Sequence, residues 1–154
     1  MNRNNLVRHA RLSIERGSKS FSRASKLFSR KTRERAWLLY SWCRACDDLA
    51  DGQDHGHGMS VVANPQKTIA AMRMMTRRAH GGEQTGNPPF DAFGVVAQEC
   101  GIPIDFANDM IDGYYNALLE CRDSDAVNVV ILTGAGRAFC AGGDVGGMGA
   151  DGKD

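Results

Sequence analysis

A chain of 154 residues with 42% hydrophobic and 24% charged side chains has the composition of a globular protein, which excludes a wholly disordered chain and a collagen-like fibre. No apolar run approaches the ~18 residues that a membrane span requires. The formal net charge of +1 hides an asymmetry: residues 1–44 carry twelve Lys and Arg against two acids, Glu15 and Glu34, and the remainder carries seven against sixteen.

The N-terminal third is therefore a cationic surface, suited by long-range Coulomb attraction to phosphates of nucleic acid, lipid or a small diphosphate. Only Phe21 and Phe28 are aromatic among the first 36 residues, too few for the interleaved basic and aromatic pattern of single-strand binding, so nucleic acid is not expected as a partner. The five cysteines are odd in number, and no signal-peptide pattern follows Met1. A reduced, cytoplasmic setting is the expectation.

Leu6, Val7, Ala10 and Ile14 recur at helical spacing, with Gly17 placed to end the helix in a left-handed cap. After a polar SKS link, Phe21, Ala24, Leu27 and Phe28 mark a second, shorter helical face. A long helical pattern then runs from about Lys31 to Asp51 and breaks at GQDHGHG. Asn64-Pro65 reads as an N-cap and first turn, with Ile69, Met72 and Met75 behind it and Gly81-Gly82 at the end. Pro89 to Cys100 is the next expected helix, its face formed by Phe93, Val96, Ala97 and Cys100 and its stop by Gly101. Pro103 opens a further helix lined by Phe106, Ala107, Met110, Ile111, Tyr114, Ala117 and Leu118. Beyond CRDSD the period changes, and Val127, Val129, Val130, Ile131 and Leu132 read as a short buried strand ending at Gly134. No other segment offers this strand a ladder partner, a conflict that argues against one coherent fold.

The chemistry concentrates in YSWCRACDDLAD, residues 40–51. At 100° per residue, Tyr40, Arg44, Asp47 and Asp51 fall within an arc of about 60°, with Asp48 beside them. Apolar residues such as Leu38, Trp42, Cys46 and Leu49 occupy most of the remaining circumference, so a narrow polar ribbon runs along an apolar rod and is expected to face an internal cavity. Carboxylates one turn apart suit Mg²⁺, and Arg44 suits a phosphate oxygen. The competing reading is a solvated face in which Arg44 pairs with Asp47 and Asp48. Cys43 and Cys46 form a CxxC within an apolar pattern and read as core packing, and His55 and His57 read as a solvated loop.

GSKSFSRASKLFSRKTRERAWLLYSWCRACDDLAD resembles the N-terminal segment of bacterial phytoene synthases, in the squalene and phytoene synthase family. The resemblance continues more weakly through PPFDAFGVVAQECGIPIDFANDMIDGYYNAL and covers about residues 4–118. It implies a mainly α chain, part of an isoprenoid-synthase-type helical bundle, that joins two geranylgeranyl diphosphates head to head to form phytoene. By the same resemblance Asp47, Asp48 and Asp51 match the first aspartate-rich motif, which binds Mg²⁺ (assigned here to Asp47 and Asp51) and a prenyl diphosphate. Arg44 and Tyr40 match residues near that diphosphate, and Ser18, Ser20 and Phe21 match a flap-like SKSF segment at the cavity mouth. Peripheral contact with the inner membrane face is left open. This sequence departs from the pattern in lacking the family's second aspartate-rich motif, and in having Ala117 where a GxxxD element after Gly113 would carry Asp. Weak or no activity is the expectation.

From about Leu118 the chain resembles the enoyl-CoA hydratase or crotonase group through VVILTGAGRAFCAGGDV, in which the amide at Ala141 matches one oxyanion-hole donor. The expected organisation is a phytoene synthase-like region over 1–118 and a crotonase-like strand and glycine-rich loop over 119–154 that does not belong to the bundle and ends in a disordered tail. A dinucleotide loop fails because Phe139 stands where the third glycine is needed. An acyl-CoA hydratase or isomerase fragment, and a non-enzymatic basic module or catalytically dead fragment, remain the alternatives.

Overall fold

The computed structural model describes the backbone of residues 1–51 and 64–122 and the side chains of 1–50 and 64–113. The chain divides into two compact units, Met1–Leu118 and Leu119–Asp154. Among the described residues the structure is mainly helical and contains no strand, with six α-helices: α1 (Arg3–Gly17), α2 (Lys19–Ala24), α3 (Arg30–Asp51), α4 (Pro65–His80), α5 (Pro88–Cys100) and α6 (Ile104–Arg122). A single 3₁₀ turn, Ser25–Leu27, separates α2 from α3. The expected strand at 127–132, the GQDHGHG loop with His55 and His57, and Ala141 lie outside the described residues.

Local chemistry sets the helix ends. The Asn2 side chain accepts from the Asn5 amide at 2.9 Å, and Asn64 accepts from the Lys67 amide at 3.0 Å. Each thereby satisfies an amide that a helix start leaves without a partner. Pro65 and Pro88 occupy the first turns of α4 and α5, where a missing N–H costs nothing. Gly101 closes α5 with φ 65°, and the following Ile102 amide donates to the Ala97 carbonyl at 3.0 Å. That left-handed cap is the one the glycine's position predicts.

Helix α3 is the central element and packs on α1, α4 and α5, while α5 also packs on α1 and α4. Two clusters make the core. Leu6 and Ala10 of α1 meet Leu38 of α3 and Ala92 and Val96 of α5 in one of them. In the other, Trp42 and Cys46 of α3 meet Ile69 and Met72 of α4, Phe90 and Phe93 of α5, and Ala107 and Ile111 of α6. Trp42 stacks on Phe93 with ring centroids 4.3 Å apart, and its indole N–H donates to Thr76 Oγ1 at 3.2 Å. Burial of each such ring stabilises the fold by about 1.5–3 kcal/mol. Gly94 lets α5 lie directly on the Ala79 carbonyl of α4, since a Cβ there would collide with that backbone.

Ion pairs tie the helices from outside. Arg3 of α1 bonds Glu34 of α3 at 2.7 Å and Glu99 of α5 at 2.5 Å, and Arg35 bonds Glu99 at 2.8 Å. Hydrogen bonding from Arg3, supported by Arg35 and opposed by burial, holds the Glu99 carboxyl down at about 2. Arg73 of α4 pairs with Asp112 of α6.

Five expectations are corrected. Gly17 does not take a left-handed conformation; it is the last residue of α1, and Ser18, with φ −152°, both caps α1 and starts α2. The SKS link is accordingly a junction between two helices. Phe21, Ala24, Leu27 and Phe28 do not form one buried face, because the 3₁₀ turn rotates Leu27 (89% exposed) and Phe28 (42% exposed) outward. Ser25 is buried there instead, its hydroxyl donating to Ser22 O and accepting from the Trp37 indole, both at 2.9 Å. On the remaining helices Cys100 is exposed at the end of α5, and Phe106 is 73% exposed in the first turn of α6.

Candidate functional site

The ribbon expected on residues 40–51 lies along α3, with Trp42 and Cys46 turned into the core behind it. Tyr40, Arg44, Asp47 and Asp48 are all half-buried, which departs from the solvated-face reading. One part of that reading holds: Arg44 Nη2 donates to Asp48 Oδ1 at 2.6 Å across one turn. Arg44 Nε is buried and makes no hydrogen bond among the described residues. A buried guanidinium nitrogen without an acceptor is costly unless one reaches it from beyond the described residues. Asp51 is the last residue of α3, and its side chain lies outside the described residues.

The electrostatics follow from this packing. Burial raises the Tyr40 pKa, opposed by the Arg44 charge and reinforced by Asp47 and Asp48, so the phenol stays protonated and can donate. Burial pulls the Arg44 pKa down, yet the Asp48 hydrogen bond and the charges of Asp48 and Asp47 leave it raised overall. Cys46, pushed up chiefly by burial, is an unreactive core thiol. Cys43 Sγ lies 4.0 Å from Met110 Sδ at the core's edge.

The junction between α1 and α2 sits on the Tyr40 end of the ribbon. Phe21 packs on Tyr40 with ring centroids 5.7 Å apart. A Cβ at Gly17 would stand 2.5 Å from the Tyr40 hydroxyl and 3.7 Å from Arg44 Cδ. Ser18 Oγ accepts from the Phe21 amide at 3.3 Å and lies 3.4 Å from Ser20 Oγ, so the SKSF segment is a capped turn held against the ribbon. The structure thus brings Phe21 to Tyr40 and Arg44 to Asp48, while Ser20 is exposed. Gly17 is the residue whose role the sequence concealed. Its signal is position: a glycine directly before a capping serine, where one helix passes into the next without a loop.

Among the described residues no group of three or more His, Cys, Asp and Glu is placed to hold a metal ion. Asp47 and Asp48 nevertheless supply hard carboxylate oxygens beside a protonated phenol and a guanidinium with an open donor, a set that fits a divalent cation with a phosphate-bearing ligand. The other acidic spacing, Asp105, Asp109 and Asp112 on α6, points elsewhere: Asp105 and Asp109 are exposed and Asp112 pairs with Arg73.

The described residues around this ribbon are mainly helical. The squalene/phytoene synthase profile matches residues 14–125, and the chain belongs to that family. It is 40% identical to the 15-cis-phytoene synthase of Pantoea ananas over 126 residues, 80% of this chain and 41% of that protein. It is also 40% identical to the phytoene synthase of Pseudescherichia vulneris over 119 residues, covering 76% and 38% of the two chains. With the 15-cis-phytoene synthase of a Paracoccus species it shares 35% over 118 residues, covering 77% and 38%. The chain spans about two fifths of the length of these curated relatives. The enoyl-CoA hydratase/isomerase profile matches residues 106–154, overlapping the first match at its end. No solved structure gives a significant match.

Proposed function

We propose that residues 1–118 are the diphosphate-binding part of a phytoene synthase, a portion of an isoprenoid-synthase-type helical bundle whose substrate is geranylgeranyl diphosphate. The observation that carries this reading is the half-buried ribbon of Tyr40, Arg44, Asp47 and Asp48 with an open donor at Arg44 Nε. The relatives named for phytoene synthesis support the substrate class.

Within this reading Asp47 and Asp51 hold Mg²⁺, with Asp48 restraining Arg44. The bound ion supplies charge neutralisation to a leaving diphosphate. Arg44 directs Nε at a phosphate oxygen while Nη2 stays on Asp48, so its guanidinium is oriented before the ligand arrives. Tyr40, kept protonated by burial, donates its hydroxyl to the same anion. Phe21, held by the Ser18 cap, covers Tyr40 and keeps water from the reacting end of the prenyl chain. Ser18 and Ser20 line the mouth. A peripheral contact with the inner face of a membrane belongs to the same reading; no helix among the described residues is long and apolar enough to cross one.

Residues 119–154 constitute a crotonase-like segment in this reading, supported by the profile match over 106–154 and the boundary between compact units after Leu118. Ala141 would carry its oxyanion-hole amide. Calorimetric titration with coenzyme A tests whether that segment binds independently: a measurable heat would make an acyl-CoA function the better reading. For the main proposal, titration with geranylgeranyl diphosphate in Mg²⁺ gives saturable binding that EDTA abolishes and that Asp47→Asn weakens at least about tenfold. Metal-independent binding, or an unchanged Asp47→Asn affinity, refutes it.

A further inference from the structure

We infer that the turn between α2 and α3 is a docking knuckle for an anionic phospholipid bilayer, with Leu27 and Phe28 entering the acyl region and the surrounding cations engaging headgroup phosphates. It gives residues to the peripheral membrane contact proposed above and does not depend on the diphosphate reading. Residues 16–33 contain seven Lys and Arg and no acidic residue. Arg16, Lys19, Arg23, Lys26, Arg30 and Lys31 are all exposed. Between them stand two apolar side chains that the fold turns outward, Leu27 at 89% and Phe28 at 42% exposure.

The turn is held in place from beneath. Ser25 is fully buried and bonded by the Trp37 indole at 2.9 Å, and the Phe28 amide donates to the Ser25 carbonyl at 3.1 Å. Past Phe28 the chain enters α3 under a Ser29 cap, whose Oγ accepts from the Thr32 amide at 3.3 Å. Little ordering entropy is then lost when these side chains meet a surface, because the backbone that presents them is already fixed. Beside the knuckle a groove of about 420 Å³ is lined by Arg3, Arg30, Lys31, Glu34, Arg35 and Glu99. Its two carboxylates are engaged by Arg3, Arg30 and Arg35, and Lys31 makes no ion pair among the described residues. The groove has a net positive charge and is open to a phosphate.

The chemistry selects the partner. An exposed apolar tip flanked in sequence by exposed cations matches the acyl and headgroup layers of an anionic bilayer, in which basic residues near the surface and buried apolar area act together. Leu27 offers a base no stacking face, which disfavours single-stranded nucleic acid. A second copy of the chain would bring like charge against like.

Cosedimentation of the full chain with phosphatidylcholine vesicles, with and without phosphatidylglycerol, tests this. Binding is expected to the anionic vesicles, to fall with added salt, and to be at least about tenfold weaker for Leu27→Ser/Phe28→Ser and for Lys26→Glu/Lys31→Glu, with helix content by circular dichroism unchanged. Asp47→Asn should sediment like the parent, and Leu27→Ser/Phe28→Ser should keep its geranylgeranyl diphosphate affinity, so the two proposals fail separately. Equal binding to neutral and anionic vesicles overturns the inference. So does equal binding by parent and both variants, or single-stranded RNA that binds more tightly than the vesicles and is unaffected by Leu27→Ser/Phe28→Ser.

Discussion

Gly17→Ala sets two effects of similar size against each other at the edge of the site. Gly17 has a helical backbone, so alanine there gains about 1 kcal/mol of helix propensity. Its Cβ would stand 2.5 Å from the Tyr40 hydroxyl, far inside contact distance, but 3.5 Å from Tyr40 Cζ, an ordinary contact. Relief requires the Tyr40 ring to move, and Phe21 packs against that ring. Overpacking of this kind costs about 1–3 kcal/mol, so the single variant is expected to be neutral to about 2 kcal/mol less stable. In a Tyr40→Phe background the offending oxygen is gone and only the propensity gain remains, so the same substitution should stabilise by up to about 1 kcal/mol. Urea unfolding of the four proteins isolates the coupling, expected at about 1–3 kcal/mol. If Gly17→Ala changes stability equally in both backgrounds, the close approach of the α1–α2 junction to Tyr40 is wrong.

Three further substitutions probe the frame and the ribbon. Glu99 is held at about 2 by Arg3, against its ordinary 4.5, so its stabilisation is present above pH ~4.5 and is lost as the pH falls towards 2. Glu99→Gln should cost ~1–2 kcal/mol at neutral pH, after allowance for solvent screening, and flatten the acid limb of a stability–pH profile. Gly94→Ala drives a Cβ into the Ala79 backbone, which cannot rotate away, and should lower stability by about 2–4 kcal/mol in thermal unfolding. Arg44→Met leaves the half-buried Asp48 without its 2.6 Å partner, for an expected ~1–3 kcal/mol of stability and at least about tenfold in diphosphate affinity by titration.

The helices that the sequence made legible are those whose ends carry their own chemistry. Asn64-Pro65 and Gly101 each mark a terminus by local geometry, and Ile69, Met72, Phe93 and Val96 are buried as their spacing requires. Gly17 misleads because one residue type serves two needs, positive φ and close approach, and only the tertiary neighbour Tyr40 distinguishes them. Leu27 and Phe28 mislead because a pattern at helical spacing assumes that the helix continues. The 3₁₀ turn, with fewer residues per turn, breaks the register after Ala24. Phe106 and Cys100 lie at helix ends, where periodicity specifies a face least firmly. The Asp48 pairing with Arg44 follows from i,i+4 spacing, whereas the open Nε donor depends on how deeply α3 is buried, which spacing does not encode.

The position of the ribbon is set by the face opposite it. Leu38, Trp42 and Cys46 succeed one another every four residues along α3. Leu38 enters the cluster shared with α1 and α5, while Trp42 and Cys46 enter the cluster shared with α4, α5 and α6. With two independent clusters gripping one rod, α3 cannot rotate without expelling an indole that is both stacked and hydrogen-bonded. Tyr40, Arg44 and Asp47 are thereby fixed on the other side by residues that never touch a ligand. At Asp47 the arrangement also separates stability from binding. A substitution such as Asp47→Asn changes the ribbon's charge while leaving both clusters intact, so loss of diphosphate binding in that variant would report on chemistry at the carboxylate rather than on an unfolded helix.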